Sequence, residues 1–228
     1  VVFPVLHGKN GEDGTMQGLL QISGIPFVGS GTTASAASMD KAITKAVIDQ
    51  NNVVNQAKCI VLDRKTYEKD PKNEVIALFD YFECQLPLFV KPANAGSSVG
   101  ISKVKEADDL PKAIEKALLE DEKVLIQETI VGREIEVAVL GNENPEASCI
   151  GEIFAANEFY DYEAKYVTDT STAYIPARIP EDVQEVVREI YSDYSRQLCQ
   201  GNSTEKQSMA AAAILTADYL ATHWIFAD

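Results

Sequence analysis

The apolar positions of this chain change period several times. Val1 to Leu6 form a nearly continuous apolar run, the pattern of a parallel-sheet strand already under way, so sequence is expected upstream of Val1. The Gly-rich segment HGKNGEDGTMQG follows, then a predicted helix, a short strand over Ile25 to Val28 and a turn at GSGTTAS. That is an α/β rhythm. Met39, Ile43, Ala46 and Val47 then recur at helical spacing, and Asp40 near the start complements the helix dipole. This helix is predicted to end near Asn51 and Asn52, before an apolar strand at Cys59 to Leu62. Glu74 to Phe82 places Ile76, Phe79 and Phe82 on roughly one helical face.

The middle of the chain reads as strands at Leu88 to Lys91, Val99 to Val104, Val124 to Glu128, Glu134 to Leu140 and Cys149 to Phe154. Leu110, Ile114, Ala117 and Leu118 mark an amphipathic helix between the second and third, and Gly141-Asn142 mark a turn. The expected product is a mixed sheet capped by helices. From Asn157 to Arg178 the period is lost among aromatic and charged residues, which predicts a long ordered loop. Pro180 and the acids after it suit the start of a helix over EDVQEVVREIY. A last helix scans through SMAAAAILTADYLATHWIF, started by Ser203, Thr204 or Ser208. Its Ile214, Leu215, Leu220, Trp224 and Phe226 can pack within the chain or support oligomerisation.

Composition narrows the classes. At 228 residues and 46% apolar content, the chain can bury one or two cores. Its formal charge of -15 disfavours attraction to nucleic acid or an anionic membrane surface. A small anion can still bind where lysines and N–H groups concentrate. Cys59, Cys84, Cys149 and Cys199 lie far apart without a CxxC pair, so they read as separate buried thiols rather than a zinc site. No stretch reaches membrane-spanning length and no basic n-region precedes an apolar run, so a cytoplasmic location is expected.

Four segments can carry chemistry. KPANAGSSVG offers Gly96 and Gly100 for tight backbone, Ser97, Ser98 and N–H groups to surround phosphate oxygens, and Lys91 as a point charge. It is not a GxxxxGKS loop, and an ordinary hairpin has the same composition. HGKNGEDG sets His7, Glu12 and Asp13 just beyond the first predicted strand, a frequent ligand position, although a lone histidine is more often structural. In QETIVGREIE, the acids Glu128, Glu134 and Glu136 can meet ribose hydroxyls or order a lysine, and the backbone from Gln127 to Ile130 can address a purine edge. A solvated hairpin face explains the same pattern. In YDYEAKY, Lys165 can reach a phosphate while tyrosines exclude water; the loop can equally pack or bind a partner.

Taken in order, HGKNGEDGTMQG, GIPFVGSG, SMDKAITK, FVKPANAGSSVGISKV, ETIVGREIE and FYDYEAKY closely resemble the D-alanine:D-alanine ligase family, including its D-alanine:D-serine relatives, from about His7 to Glu189. The resemblance implies an ATP-grasp fold, incomplete at the N-terminus and at the C-terminus. It divides the chain into the remainder of an N-terminal substrate domain (1–38), a central ATP-grasp lobe (39–130), the start of a C-terminal lobe with its closing loop (131–190) and an atypical helical tail (191–228). It places Lys41 and Lys91 at ATP phosphates, Ser97 and Ser98 in a phosphate loop, and Glu134 at the ribose. Glu128 and Ile130 flank the nucleotide. Gln127 stands where the family commonly has Glu near the adenine amine. His7 falls in the first D-alanine site, and Tyr160, Tyr162 and Lys165 fall in the closing loop, giving His7, Ser97, Tyr162 and Lys165 as the catalytic set.

The implied reaction is ATP- and Mg2+-dependent joining of D-alanine to D-alanine or D-serine through an acyl phosphate, for peptidoglycan synthesis, by an enzyme that commonly forms dimers. Two features depart from the family. Its upstream glycine-rich strand has no counterpart here, and after Tyr191 the sequence SDYSRQLCQGNSTEKQ replaces the usual RxDFF and NExNTxPG segments. Arg196, Asp218 and Asp228 do not map onto the missing metal-ligand positions, so no metal ligand is assigned. A catalytically inactive nucleotide-binding or structural fragment is the alternative reading.

Overall fold

The computed structural model describes residues 1–51, 55–141, 144–154 and 172–199, and they fall into two compact units. One is formed by Asp40–Val131 and the other by Val1–Met39 with the described residues after Val131.

The 40–131 unit is built on a four-stranded sheet in which β1 (Cys59–Asp63), β2 (Leu88–Pro92), β3 (Ser102–Val104) and β4 (Lys123–Glu128) take the order β1-β4-β2-β3. Every pairing is antiparallel, where a mixed sheet was expected from the sequence. Strand alternation sorts the side chains. Leu62, Leu88, Val90, Val104, Val124 and Ile126 point to one face and pack with Leu78 and Phe82 and with one side of the helix α6 (Leu110–Leu118). That helix buries Leu110, Ala113, Ile114, Ala117 and Leu118, the i, i+3, i+4, i+7, i+8 set of an amphipathic helix.

Three more helices complete the unit. They are α3 (Lys41–Asn51), α4 (Arg64–Lys69) and α5 (Pro71–Tyr81). The sequence reading ran Met39 into α3, but Asp40 interrupts: its Oδ1 accepts from the N–H groups of Ala42 and Ile43 at 2.9 and 3.2 Å, which starts a new helix. The α4 helix was missed because it is short. Asp63 caps it, accepting from Thr66 N–H at 2.9 Å, and Asp70 caps α5 behind it. The predicted strand Val99 to Val104 shrinks to three residues because Val99 N–H is bonded to Gly96 and Ile101 N–H to Ser98 in consecutive turns.

In the other unit, α1 (Thr15–Ile22) lies against α2 (Thr32–Met39), where the sequence had suggested only a turn at GSGTTAS. Gly14 is required there: its φ is 91°, and a Cβ would sit 2.7 Å from the Thr32 carbonyl oxygen. Val1 to Leu6 and Ile25 to Val28 do not form strands. They meet in one parallel bridge, Val2 with Phe27, and Val1, Phe3 and Val5 are exposed. The predicted strand Glu134 to Leu140 is split into β5 (Glu134–Glu136) and β6 (Val139–Leu140), which pair with different partners. β5 joins β8 (Gly151–Phe154) and β9 (Thr172–Tyr174), while β6 joins β7 (Glu146–Ala147). Tyr174 is therefore in a strand rather than in the expected loop. The last described helix, α7 (Glu181–Cys199), begins with the Pro180 carbonyl accepting from Gln184 N–H and lays Val187 and Tyr191 into the interior against β6 and β7.

Cys59, Cys84 and Cys149 are separate free thiols, but Cys84 and Cys149 are exposed and Cys59 is only half-buried, where buried thiols were expected. The predicted C-terminal helix lies outside the described residues.

Candidate functional site

The same alternation that sends Val90 and Ile126 into the core sends Phe89 and Lys91 of β2, Leu125 and Gln127 of β4 and Cys59 of β1 to the opposite face. Phe89 and Cys59 stand directly across from Gln127 on its two sides, and Lys91 stands across from Leu125. Two of its side chains are polar yet withdrawn from water: Lys91 is 5% exposed and Gln127 1%. The Lys91 ammonium lies 5.4 Å from the centre of the Phe89 ring, a cation–π contact that a buried cation can use.

Helix α3 adds two lysines one turn apart. Lys41 Nζ donates to the carbonyl of Ala95 at 2.5 Å and Ala93 at 3.4 Å, while its backbone N–H also bonds Ala93. Lys45 is buried and donates to the Ala57 carbonyl at 3.1 Å and Gln56 Oε1 at 3.3 Å. Burial lowers its pKa, against the opposing charges of Cys59, Asp49 and Glu128. Burial likewise pushes the Cys59 thiol up to about 11, although Lys45, Lys91 and a Gln127 hydrogen bond act to bring it down. These influences identify one neighbourhood containing Lys45, Lys91, Cys59 and Gln127. Lys45 and Cys59 were missed in the sequence. The i, i+4 spacing of Lys45 from Lys41 was the available signal; Cys59 offered none before its register with Gln127 was known.

Beyond β2, Asn94, Ser97 and Ser98 belong to a loop of unusual backbone. Ser97 and Ser98 have φ of 52° and 59°, and Gly100 has 73°. Non-glycine residues in this region cost about 1 kcal/mol or more each, a strain that clusters at ligand sites. The loop base is fixed by a network outside the sequence-derived residue set. Asp121 Oδ2 accepts from Asn94 N–H at 2.9 Å, and Asp40 Oδ2 accepts from Asn94 Nδ2 at 3.2 Å and from Lys123 Nζ.

Glu128 turns away from the Gln127 face, and its Oε1 accepts from Lys58 N–H at 2.6 Å, so it also helps align β1 with β4. Ile130 is partly exposed just beyond β4. Glu134 and Glu136 lie in β5 of the other unit, and the HGKNGEDG segment belongs to that unit too. There His7 is exposed, with Nδ1 3.8 Å from Glu12 Oε1. Tyr160, Tyr162 and Lys165 lie outside the described residues. No group of three or more His, Cys, Asp or Glu side chains able to hold a metal occurs among the described residues. No helix of the described residues is long and apolar enough to cross a membrane.

Comparison with known proteins gives this arrangement a context. Residues 48–203 match the family model described as D-ala D-ala ligase C-terminus, and residues 1–30 match D-ala D-ala ligase N-terminus. The chain is 50% identical over 188 residues to a D-alanine--D-alanine ligase of Acetivibrio thermocellus, which covers 82% of the chain and 49% of that protein. Against the D-alanine--D-alanine ligase of Prosthecochloris aestuarii, identity is 44% over 204 residues, covering 89% of the chain and 56% of that protein. The chain thus spans about half the length of these curated relatives. Among solved structures, the VanG D-Ala:D-Ser ligase from Enterococcus faecalis superposes with a TM-score of 0.74 at 36% identity, covering 96% of this chain and 64% of that one. D-alanyl-alanine synthetase A from Vibrio cholerae gives 0.74 at 30% identity, covering 86% and 59%. With family models matched in both parts and ATP-grasp ligases as its structural neighbours, the chain belongs to the D-alanine--D-alanine ligase family.

Proposed function

We propose that this chain carries the nucleotide-binding part of an ATP-dependent ligase that joins D-alanine to a second D-amino acid, D-alanine or D-serine, for peptidoglycan synthesis. The observation that supports this most directly is the buried polar face on β2 and β4, where Lys91 and Gln127 sit at 5% and 1% exposure in a chain of this family. Lys91 brings a positive charge and Gln127 a hydrogen-bonding amide to one face of the sheet, and a nucleotide presents phosphate and base edges to such a pair.

In this reading Lys41 and Lys91 hold phosphate oxygens, and Ser97 and Ser98 close over them. Gln127 accepts from the adenine amine, beside the main chain of Glu128 to Ile130, and Glu134 accepts from ribose hydroxyls. His7 addresses the first D-alanine, while Tyr160, Tyr162 and Lys165 exclude water. The carboxylate of that D-alanine attacks the γ-phosphate, releasing ADP and forming an acyl phosphate. The amine of the second D-amino acid then displaces phosphate, giving the dipeptide. The lysines stabilise charge on the transferred phosphoryl oxygens. Magnesium belongs to the family expectation, but the described residues supply no ligand cluster for it, so no step is assigned to it. Division into the regions 1–38, 39–130, 131–190 and 191–228, a homodimeric assembly and a cytoplasmic location complete the proposal.

The test is ADP release by the purified chain with magnesium, with and without D-alanine, and identification of products by mass. D-alanine-dependent ADP and dipeptide support the ligase reading. ATP binding without turnover limits the chain to nucleotide binding. Lys91→Ala is expected to remove at least about 90% of ATP-dependent turnover or binding, since it deletes a charge-assisted contact. Near-unchanged binding overturns the role of Lys91.

A further inference from the structure

Gln127 differs from a carboxylate in one respect that matters for reading a base. Both ends of a carboxylate accept hydrogen bonds, so its orientation is immaterial; an amide has one accepting and one donating end. A glutamine selects between ligands only when something fixes which end faces them. On this sheet Cys59 stands directly opposite Gln127, on the same face. The thiol of Cys59 donates to the Ile60 carbonyl at 3.6 Å. With its proton directed there, the sulfur meets Gln127 as an acceptor. The Gln127 hydrogen bond indeed favours the thiolate form of Cys59, as a donor to sulfur must. The end of an amide that can donate to sulfur is its NH2, which puts the carbonyl oxygen at the opposite end. With Gln127 1% exposed, a flipped amide would set oxygen against sulfur and could be satisfied only by a thiol that gives up the Ile60 carbonyl.

We propose that Cys59 is a positioning residue for base selection: it holds the Gln127 carbonyl toward the ligand, so that the site prefers a purine bearing an amine at its six-position over one bearing a carbonyl there. Adenine offers an N6 donor where guanine offers an O6 acceptor, so the two call for opposite amide orientations. This inference rests on the ATP reading above and adds the residue that makes a glutamine serve in place of a glutamate. Removing the sulfur acceptor lets the amide turn over, and guanine then gains what adenine loses.

The experiment measures Kd for ATP and GTP on the full 228-residue chain by titration calorimetry. It compares wild type, Cys59→Ser, Cys59→Ala and Cys59→Val, each with Gln127 and with Gln127→Glu. Cys59→Ala and Cys59→Val are expected to reduce the ATP-over-GTP preference about tenfold, the scale of one hydrogen bond. Cys59→Ser should retain the preference, because its hydroxyl also donates to Ile60 and accepts from the amide. In the Gln127→Glu background the same Cys59 substitutions should leave the ratio unchanged. The valine variant keeps a strand-compatible side chain should alanine disturb folding. ATP binding by wild type with an unaltered ratio in Cys59→Val overturns this inference alone. An equal loss in Cys59→Ser, or the same shift in the Gln127→Glu background where no amide remains to turn, overturns it in favour of simple packing. Failure of the wild-type chain to bind ATP overturns both this inference and the nucleotide reading.

Discussion

Asp40 ties together the helix start, a strand and the loop of the candidate site, so its removal has a calculable cost. One carboxylate oxygen accepts from the N–H groups of Ala42 and Ile43; the other accepts from Asn94 and Lys123. Asp40→Ala loses the cap, worth about 1 kcal/mol. It also loses the charge-assisted contacts, worth about 1–2 kcal/mol after allowing for the partly exposed Lys123 side chain. The sum is a loss of about 2–3 kcal/mol in the 40–131 unit, whereas Asp40→Asn keeps a capping oxygen and should lose about 1 kcal/mol. Hydrogen exchange of the whole chain, resolved to peptides of α3, β2 and β4, reads the opening free energy of this unit. Exchange in Asp40→Ala within about 0.5 kcal/mol of wild type would refute the reasoning.

The pH dependence gives a second reading of the same contact. Burial raises the Asp40 pKa, but hydrogen bonds from Lys123 and Ile43, the Lys123 charge and Asn94 outweigh it and leave the carboxyl below 3.8. The folded state therefore binds fewer protons than the unfolded state in that range, so the contribution is complete above pH 3.8 and fades as pH falls through the lower folded value. The gap in α3 protection between wild type and Asp40→Asn should close over that interval, and a gap constant with pH would remove the charge from the explanation. Two further substitutions probe the scaffold of the same unit. Ile114→Ala opens a cavity at a fully buried position of α6 and should cost about 2–5 kcal/mol in exchange protection of β2 and β4; a loss below about 1 kcal/mol would mean that the core collapses around the site. Gly100→Ala brings a Cβ within 2.9 Å of Glu120 Cγ and 3.2 Å of Pro92 Cγ at a φ of 73°, so it should destabilise the 93–101 loop by about 1–2 kcal/mol, and unchanged exchange there would disprove the need for glycine.

What could be read from the sequence follows from how locally each feature is encoded. Helix α6 was legible because the apolar positions that pack it are separated by fixed helical steps. β1, β2 and β4 were legible as short apolar runs near turns, and the phosphate-loop candidate as glycine and serine between two predicted strands. Elements without an apolar face of their own were not: α2 is built of Thr, Ser and Ala with one large apolar residue, Met39, and α4 is a short helix set by its Asp63 cap. Val1 to Leu6 misled for the complementary reason. An apolar run establishes that a segment can be a buried strand, but a strand exists only where a partner backbone is aligned, and here alignment is confined to Val2 and Phe27.

The candidate site is less legible than the fold because its neighbours are chosen by register. Asp40 meets Lys123 across 83 positions of the chain, and Cys59 meets Gln127 only through the pairing of β1 with β4; no local period connects them. One clue nevertheless survives in the sequence. The stretch Val124, Leu125, Ile126, Gln127 has no alternation, since β4 is central and all four residues are buried. Apolar residues in such a strand explain themselves. Gln127 does not, because an amide in that position loses water on every side and must recover its hydrogen bonds from specific partners. Gln127 is therefore the residue of β4 that packing alone does not explain, and the register of β1 and β2 on either side of it sets Cys59 and Phe89 as its neighbours on that face.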